Sequence, residues 1–187
     1  MRIMKPQYNE TKASQVAFLL LKLRGGTMSY LKLIKLMYLI DRTALIRWGR
    51  SVTFDSVVSM DNGLVLGETY NLIREDKRPD SNSVWRDFIS EPINFEVSAK
   101  EQETDFDELS DAEENLIIEI FEKFGKMGRW ELVDDVHHKL PEWIDPNGSS
   151  IPLTYRDILI KSGEKSYADI EEIQQELDGI ALLDCLA

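Results

Sequence analysis

The chain has 187 residues, 43% hydrophobic and 30% charged, enough apolar content for a core and too ordinary a charge fraction for wholesale disorder. A net charge of −12 and a pI near 4.7 oppose general affinity for nucleic acid, and the longest early apolar run, residues 16–21, is far too short to span a bilayer. One cysteine, Cys185, excludes an intrachain disulfide and a cysteine zinc cage, and the opening MRIMKPQYNE lacks the pattern of a signal peptide, so one cytoplasmic domain over residues 1–187 is expected.

A first helix is predicted over residues 11–24, opened by Asn9 or Thr11 and stopped by Gly25-Gly26. Ser29 is placed to cap a second helix that ends at Gly49. On a helical wheel Lys32, Lys35, Arg42, Thr43 and Arg47 share one arc, which reads as a solvated cationic face. Ile34, Met37, Ala44, Leu45 and Trp48 lie opposite and are expected to pack inward. Asp41 falls on that apolar side, where it needs a donor or a counter-charge.

Next come two short β-branched runs, residues 51–54 and 56–60, with Asp55 between them. They read as strands, an irregular crossing or one arm of a small sheet. Asp61-Asn62-Gly63 is a turn signal, followed by a predicted short helix over residues 65–73. Residues 76–83 read as a surface loop, and Trp85, Phe88 and Ile89 as a short helical anchor. Ile93, Phe95 and Val97 alternate with polar residues, as in a half-buried strand. Residues 101–108 are acidic and expected to be solvated.

Ser110 and Glu113 form a capping box ahead of a helix carrying Leu116, Ile117, Ile120, Phe121, Phe124 and Met127 on one side. A further helix is predicted over residues 129–140, stopped before Pro141, then a loop over residues 144–152. Two more helices are predicted near residues 154–161 and 167–177, with Gly179 closing the last. Leu182, Leu183 and Leu186 are expected to dock into the core, or alternatively the last two residues fray into a tail that a cytoplasmic unfoldase reads. The expected fold is mainly α, a compact multi-helix domain with a small β element.

Charge is unevenly spread. Residues 1–60 hold ten Lys/Arg against three Asp/Glu, and residues 61–187 hold twelve against thirty-one. Either the basic half docks an acidic partner or a nucleic acid, or the two halves attract each other. The low pI favours the second reading.

Lys35-Leu-Met-Tyr-Leu-Ile-Asp41-Arg42, followed by Trp48-Gly-Arg-Ser-Val52, resembles the Panacea domain family, also called SocA-like or phage-associated GepA-like. The resemblance continues through Gly63-Leu-Val65 and Tyr70-Asn-Leu72, although Leu64 stands where the family usually has proline. It extends through Leu109-Ser110 with Glu113, and through residues 132–143 with His137 and Pro141-Glu-Trp143. It implies an antitoxin, which binds and neutralises a cognate protein toxin without catalysis. Some relatives present the toxin to a protease.

For partner contact the candidates are Lys35, Tyr38, Arg42, Arg47 and Trp48, since aromatic residues beside arginine make interface hot spots. Asp41 reads as a structural acceptor for backbone amides or a partner for an arginine such as Arg50, and the alternative is a general base. His137 is expected to face the core and His138 the solvent, with Asp134 and Asp135 each three residues before a histidine. The alternative function is a metal-dependent hydrolase or nuclease using Asp134, Asp135, His137 and His138. That set lacks a clear third ligand, and no nucleotide loop, serine-hydrolase elbow or zincin motif occurs, so no cofactor and no metal are expected.

Overall fold

The computed structural model describes residues 5–74, 83–101 and 105–186, and the expected 76–83 loop lies outside these apart from Ser83. At its centre runs α2 (Tyr30–Trp48), flanked in the chain by α1 (Glu10–Arg24) and the short strand β1 (Thr27–Ser29). Asn9 caps α1 by accepting from the Lys12 amide, and left-handed Gly25 ends it. Left-handed Gly49 ends α2, returning its N–H to the Leu45 carbonyl.

Strands β2 (Val57–Met60) and β3 (Gly63–Leu66) form an antiparallel hairpin, and β5 (Ile151–Leu153) pairs with the other edge of β2. Helix α3 (Gly67–Arg74) starts where β3 stops, so the helix predicted over residues 65–73 loses its first residues to a strand. Strand β5 falls in the predicted 144–152 loop. Three residues centred on Pro152 carry no periodic signal, and proline is tolerated there because β5 is an edge strand.

After the short helix α4 (Trp85–Phe88) comes β4 (Glu96–Ser98), paired antiparallel with β1. Only Val97 of the predicted alternating strand is buried; Ile93 and Phe95 point to solvent. Ile93 and Glu96 exchange both backbone hydrogen bonds, and Asn94 and Phe95 between them have φ of 52° and 66°. Positive φ at both central residues is the type I′ geometry that favours Asn-Gly, and a Phe in that last place costs roughly 1–2 kcal/mol over glycine.

The capping box of Ser110 and Glu113 opens α5 (Asp111–Phe124), which buries Leu116, Ile117 and Ile120. The helix predicted over residues 129–140 is broken. One turn of α6 (Arg129–Glu131) widens into a π segment over Leu132–Val136 and tightens into a 3-10 turn over His137–Lys139. Helices α7 (Tyr155–Ser162) and α8 (Tyr167–Asp184) complete the chain.

Gly179 sits inside α8 and does not close it. Ile170, Ile173, Leu177 and Ala181 form its buried stripe, whereas Leu182, Leu183 and Leu186 lie off that stripe and are exposed, against expectation.

The fold is therefore mainly α with a small β element. The core gathers around α2, which touches α1, α5, α7 and β3 on different sides. Ion pairs Lys12–Glu113, Arg42–Glu142 and Arg47–Glu119 join the basic first third of the chain to the acidic remainder. Among the described residues no helix is long and apolar enough to cross a membrane.

Candidate functional site

Because α2 is packed on several sides, it has no solvated cationic face. Lys32 and Lys35 are buried and Arg42 half-buried, so the expected stripe survives at the surface only as Arg47 and part of Arg42. Lys32 reaches the carbonyls of Gly125 and Met127. Each buried charge must find partners, and α2 meets that demand unevenly.

Asp41 accepts from the amides of Val52 and Thr53, both at 3.1 Å, and from the Thr53 hydroxyl. Arg50 is exposed and takes no part. Burial pushes the Asp41 carboxyl up to about 7; the bonds from Thr53 and Val52 pull it down, and the Asp55 charge adds to the rise.

The Thr53 hydroxyl in turn accepts from the Asp55 amide, and Asp55 caps α3 by accepting from the amides of Glu68 and Thr69 and the Thr69 hydroxyl. Tyr155 donates to the Asp55 carbonyl and meets the Ser51 hydroxyl. These bonds fix residues 51–56 as an irregular crossing. In sequence Asp55 only separates two β-branched runs, and no local cap signal marks it, because the amides it caps lie 13 and 14 residues further along the chain.

One turn before and one residue after Asp41 lie Tyr38 and Arg42. Tyr38 donates to Glu142 Oε1 at 2.8 Å, and Arg42 grips both oxygens of Glu142. Glu142 is fully buried and ties the segment after the broken helix to α2. Its role was missed in sequence, where Pro141-Glu-Trp143 stood out only as part of a family pattern. The signal available was the Tyr38–Arg42 pair, four residues apart on one helix face.

Lys35 is fully buried, and among the described residues the one partner of its ammonium is the Leu64 carbonyl at 2.8 Å. Burial lowers it to about 7. His137 lies against the same turn of α2, its Nε2 3.2 Å from the Lys35 carbonyl. Burial and then the Lys35 charge hold the imidazole well below its ordinary value, so it is neutral and donates through Nε2. Its Nδ1 has no partner among the described residues. Gly63, at φ 89°, lets the hairpin close over this pair: a Cβ there would sit 2.7 Å from His137 Cβ.

Above Lys35, at the N-terminal end of α2, opens a cleft of about 440 Å³. Tyr30, Tyr70, Phe95 and Trp130 line it, with Arg129 and Asp61 as its other charged residues. Phe95 is 67% exposed and Trp130 51%. Ser29 has helix-capping position but makes no capping bond, and its buried hydroxyl has no partner.

Of the contact residues expected from sequence, Lys35 and Tyr38 are shut inside and are removed from any surface role in this conformation. Arg42 is spent largely on Glu142. Arg47 is exposed and gripped by Glu119, and Trp48 is partly exposed instead of packing fully inward.

The Asp134, Asp135, His137, His138 set does not converge. His137 faces the core, Asp134 meets His138 at 3.6 Å and Asp135 pairs with Lys139. Both pairs are four residues apart, not three. No group of three or more His, Cys, Asp or Glu that could hold a metal occurs among the described residues.

The family model described as "Antitoxin SocA-like, Panacea domain" matches residues 33–144, more than half of the chain. The chain belongs to this family. The Panacea match begins on α2 and ends just past Glu142, so it contains Lys35, Asp41, His137 and Glu142 together. No curated protein and no solved structure matches the chain.

Proposed function

We propose that this Panacea-domain chain is an antitoxin of the cytoplasm, neutralising a cognate protein toxin by direct binding and without catalysis. The family match over residues 33–144 carries the reading. The chemistry agrees with it. The buried polar groups around Asp41 and Glu142 are consumed by one another, whereas Arg47 and Trp48 are exposed. Among the expected contact residues Arg47 and Trp48 offer surface to a partner, and Arg42 its accessible edge.

Delivery of the bound toxin to a cytoplasmic protease or unfoldase is a variant of this mechanism, favoured by the exposed Leu182, Leu183 and Leu186 at the end of α8. The test is co-expression with the product of the adjacent reading frame. That product alone arrests growth, and this chain relieves the arrest and forms a stable complex with it from purified components. Arrest that persists despite full co-expression overturns the reading. Protection that disappears in a protease-deficient host while the complex still forms replaces masking with delivery.

A further inference from the structure

We propose that the cleft at the N-terminal end of α2 is where the toxin docks, and that the toxin segment seated there presents an acidic side chain flanked by apolar ones. The inference rests on the antitoxin reading and adds the place and the chemistry of contact.

The first observation is the Ile93–Glu96 turn. Its backbone geometry suits glycine at its last central position, yet it holds a phenyl ring that is two-thirds exposed. The contact of Phe95 with Tyr30, at 6.1 Å between ring centres, covers only a small part of the ring. The Phe95 carbonyl accepts from the Tyr30 amide at 3.0 Å, a backbone bond that glycine would make equally, so the exposed ring itself stabilises little in proportion to the strain, and such outliers cluster at binding surfaces. Ile93, in the same turn and 72% exposed, adds an apolar side chain outside the cleft, and Trp130 is a second exposed aromatic in its lining. A ligand filling the cleft alone would leave Ile93 bare, so this wider apolar surface fits a protein segment.

Charge sets the chemistry of that segment. In a chain of net charge −12, the exposed charged residues lining the cleft are Arg129 and Asp61, the Lys35 ammonium beside them being buried on the Leu64 carbonyl. Asp61 Oδ1 is occupied by the Gly148 amide. Arg129 lies over the Trp130 ring at 5.7 Å and has no carboxylate partner among the described residues. The buried Ser29 hydroxyl is unpartnered at the positive end of a 19-residue helix. A carboxylate is the group that complements the exposed Arg129 guanidinium at this end of α2, and the exposed Phe95, Ile93 and Trp130 complement apolar neighbours of it.

The experiment measures affinity of the full chain for the purified product of the adjacent reading frame, with thermal midpoints recorded for every variant. Phe95→Gly relieves the turn, so it folds at least as stably as the parent while losing at least about thirtyfold in affinity. Arg129→Glu loses at least about tenfold, chiefly in the association rate. Tyr167→Ala, at an exposed aromatic that opens α8 and lies outside the cleft lining, changes affinity by less than about threefold.

If the parent forms a complex and both cleft variants bind within about threefold of it, the docking site is wrong and the antitoxin reading stands. If Phe95→Gly weakens binding but Arg129→Glu does not, the acidic character of the segment is wrong. If the parent forms no complex, the antitoxin reading fails and takes this site with it. A concentration-dependent dimer of the chain that Phe95→Gly abolishes would assign the cleft to a second copy and overturn the toxin as occupant.

Discussion

Asp41 and Lys35 lie less than about two turns apart on one helix and are equally shut from water, yet they are treated in opposite ways. The C-terminal part of α2 is saturated: Asp41 accepts three hydrogen bonds, and Glu142 takes Tyr38 and Arg42. The N-terminal part is starved. Among the described residues Lys35 has one carbonyl, and His137 Nδ1 and the Ser29 hydroxyl have no partner. Saturation holds elements in place, here the 51–56 crossing and the segment around Glu142. Under-satisfaction destabilises, and in this chain it gathers beside the cleft with the exposed aromatics. The difference between the two regions can be measured residue by residue.

The largest effect belongs to Glu142. Glu142→Ala leaves Arg42 and Tyr38 facing an empty buried site and should cost about 3–5 kcal/mol in denaturant unfolding. A cost below about 1 kcal/mol would mean that water reaches Arg42 and that the saturated region is less closed than its geometry implies.

Lys35 should respond with the opposite sign. Lys35→Met removes a buried ammonium and should raise stability by roughly 1–3 kcal/mol at pH 6, even after the Leu64 carbonyl loses its donor. The folded value of about 7 lies below the unfolded value of 10.5, so between those limits the unfolded chain binds the extra proton. The contribution of Lys35 to parent stability therefore improves as pH rises from 7 towards 10. The advantage of Lys35→Met should shrink over the same window, and unfolding midpoints at pH 6 and pH 9 measure it. An advantage that does not change with pH would show that the ammonium is not starved.

Asp41→Ala strands the Val52 and Thr53 donors and should destabilise by roughly 1–3 kcal/mol. Here the folded value of about 7 lies above the ordinary 3.8, so the folded chain holds the extra proton between them. The Asp41 contribution is greatest below about pH 4 and declines up to pH 7, the reverse of Lys35. A full-stability Asp41→Ala that fails to protect against the toxin would turn Asp41 from a structural acceptor into a contact.

The Asp41 half of the saturated region could be read from sequence because its logic is local, whereas Glu142 reaches Tyr38 and Arg42 across about a hundred residues and could not. An aspartate on an apolar helix face demands donors, and the β-branched run 51–54 that follows Gly49 supplies them. Helix ends were equally legible at Asn9, Gly25, Ser110 and Gly49, where capping chemistry is written in adjacent residues. The starved region was not legible. Whether Lys32 and Lys35 face water depends on elements more than ninety residues away for Lys32 and on a hairpin for Lys35, and a helical wheel assumes one dry face where α2 has several. Phe95 fitted an alternating pattern, and only the turn that forms around it reverses its direction. The helix over residues 129–140 failed for a similar reason, since periodicity does not register a one-residue widening.

The smallest effect sharpens the comparison most, because in Phe95→Gly stability and binding should part. Placing glycine at φ 66° recovers roughly 1–2 kcal/mol of backbone strain. Against this, the unfolded chain gains freedom worth about 0.4–1 kcal/mol, and the edge contact with Tyr30 is lost. The net expectation is a gain of about 0.5 kcal/mol, read as a small rise in thermal midpoint. Substitutions around Asp41 and Glu142 should lose stability, with protection falling only as folded protein is lost. At Phe95 the fold should strengthen as protection weakens. If Phe95→Gly instead lowers the midpoint, the ring is held for its packing on Tyr30, and the turn belongs with the saturated interior.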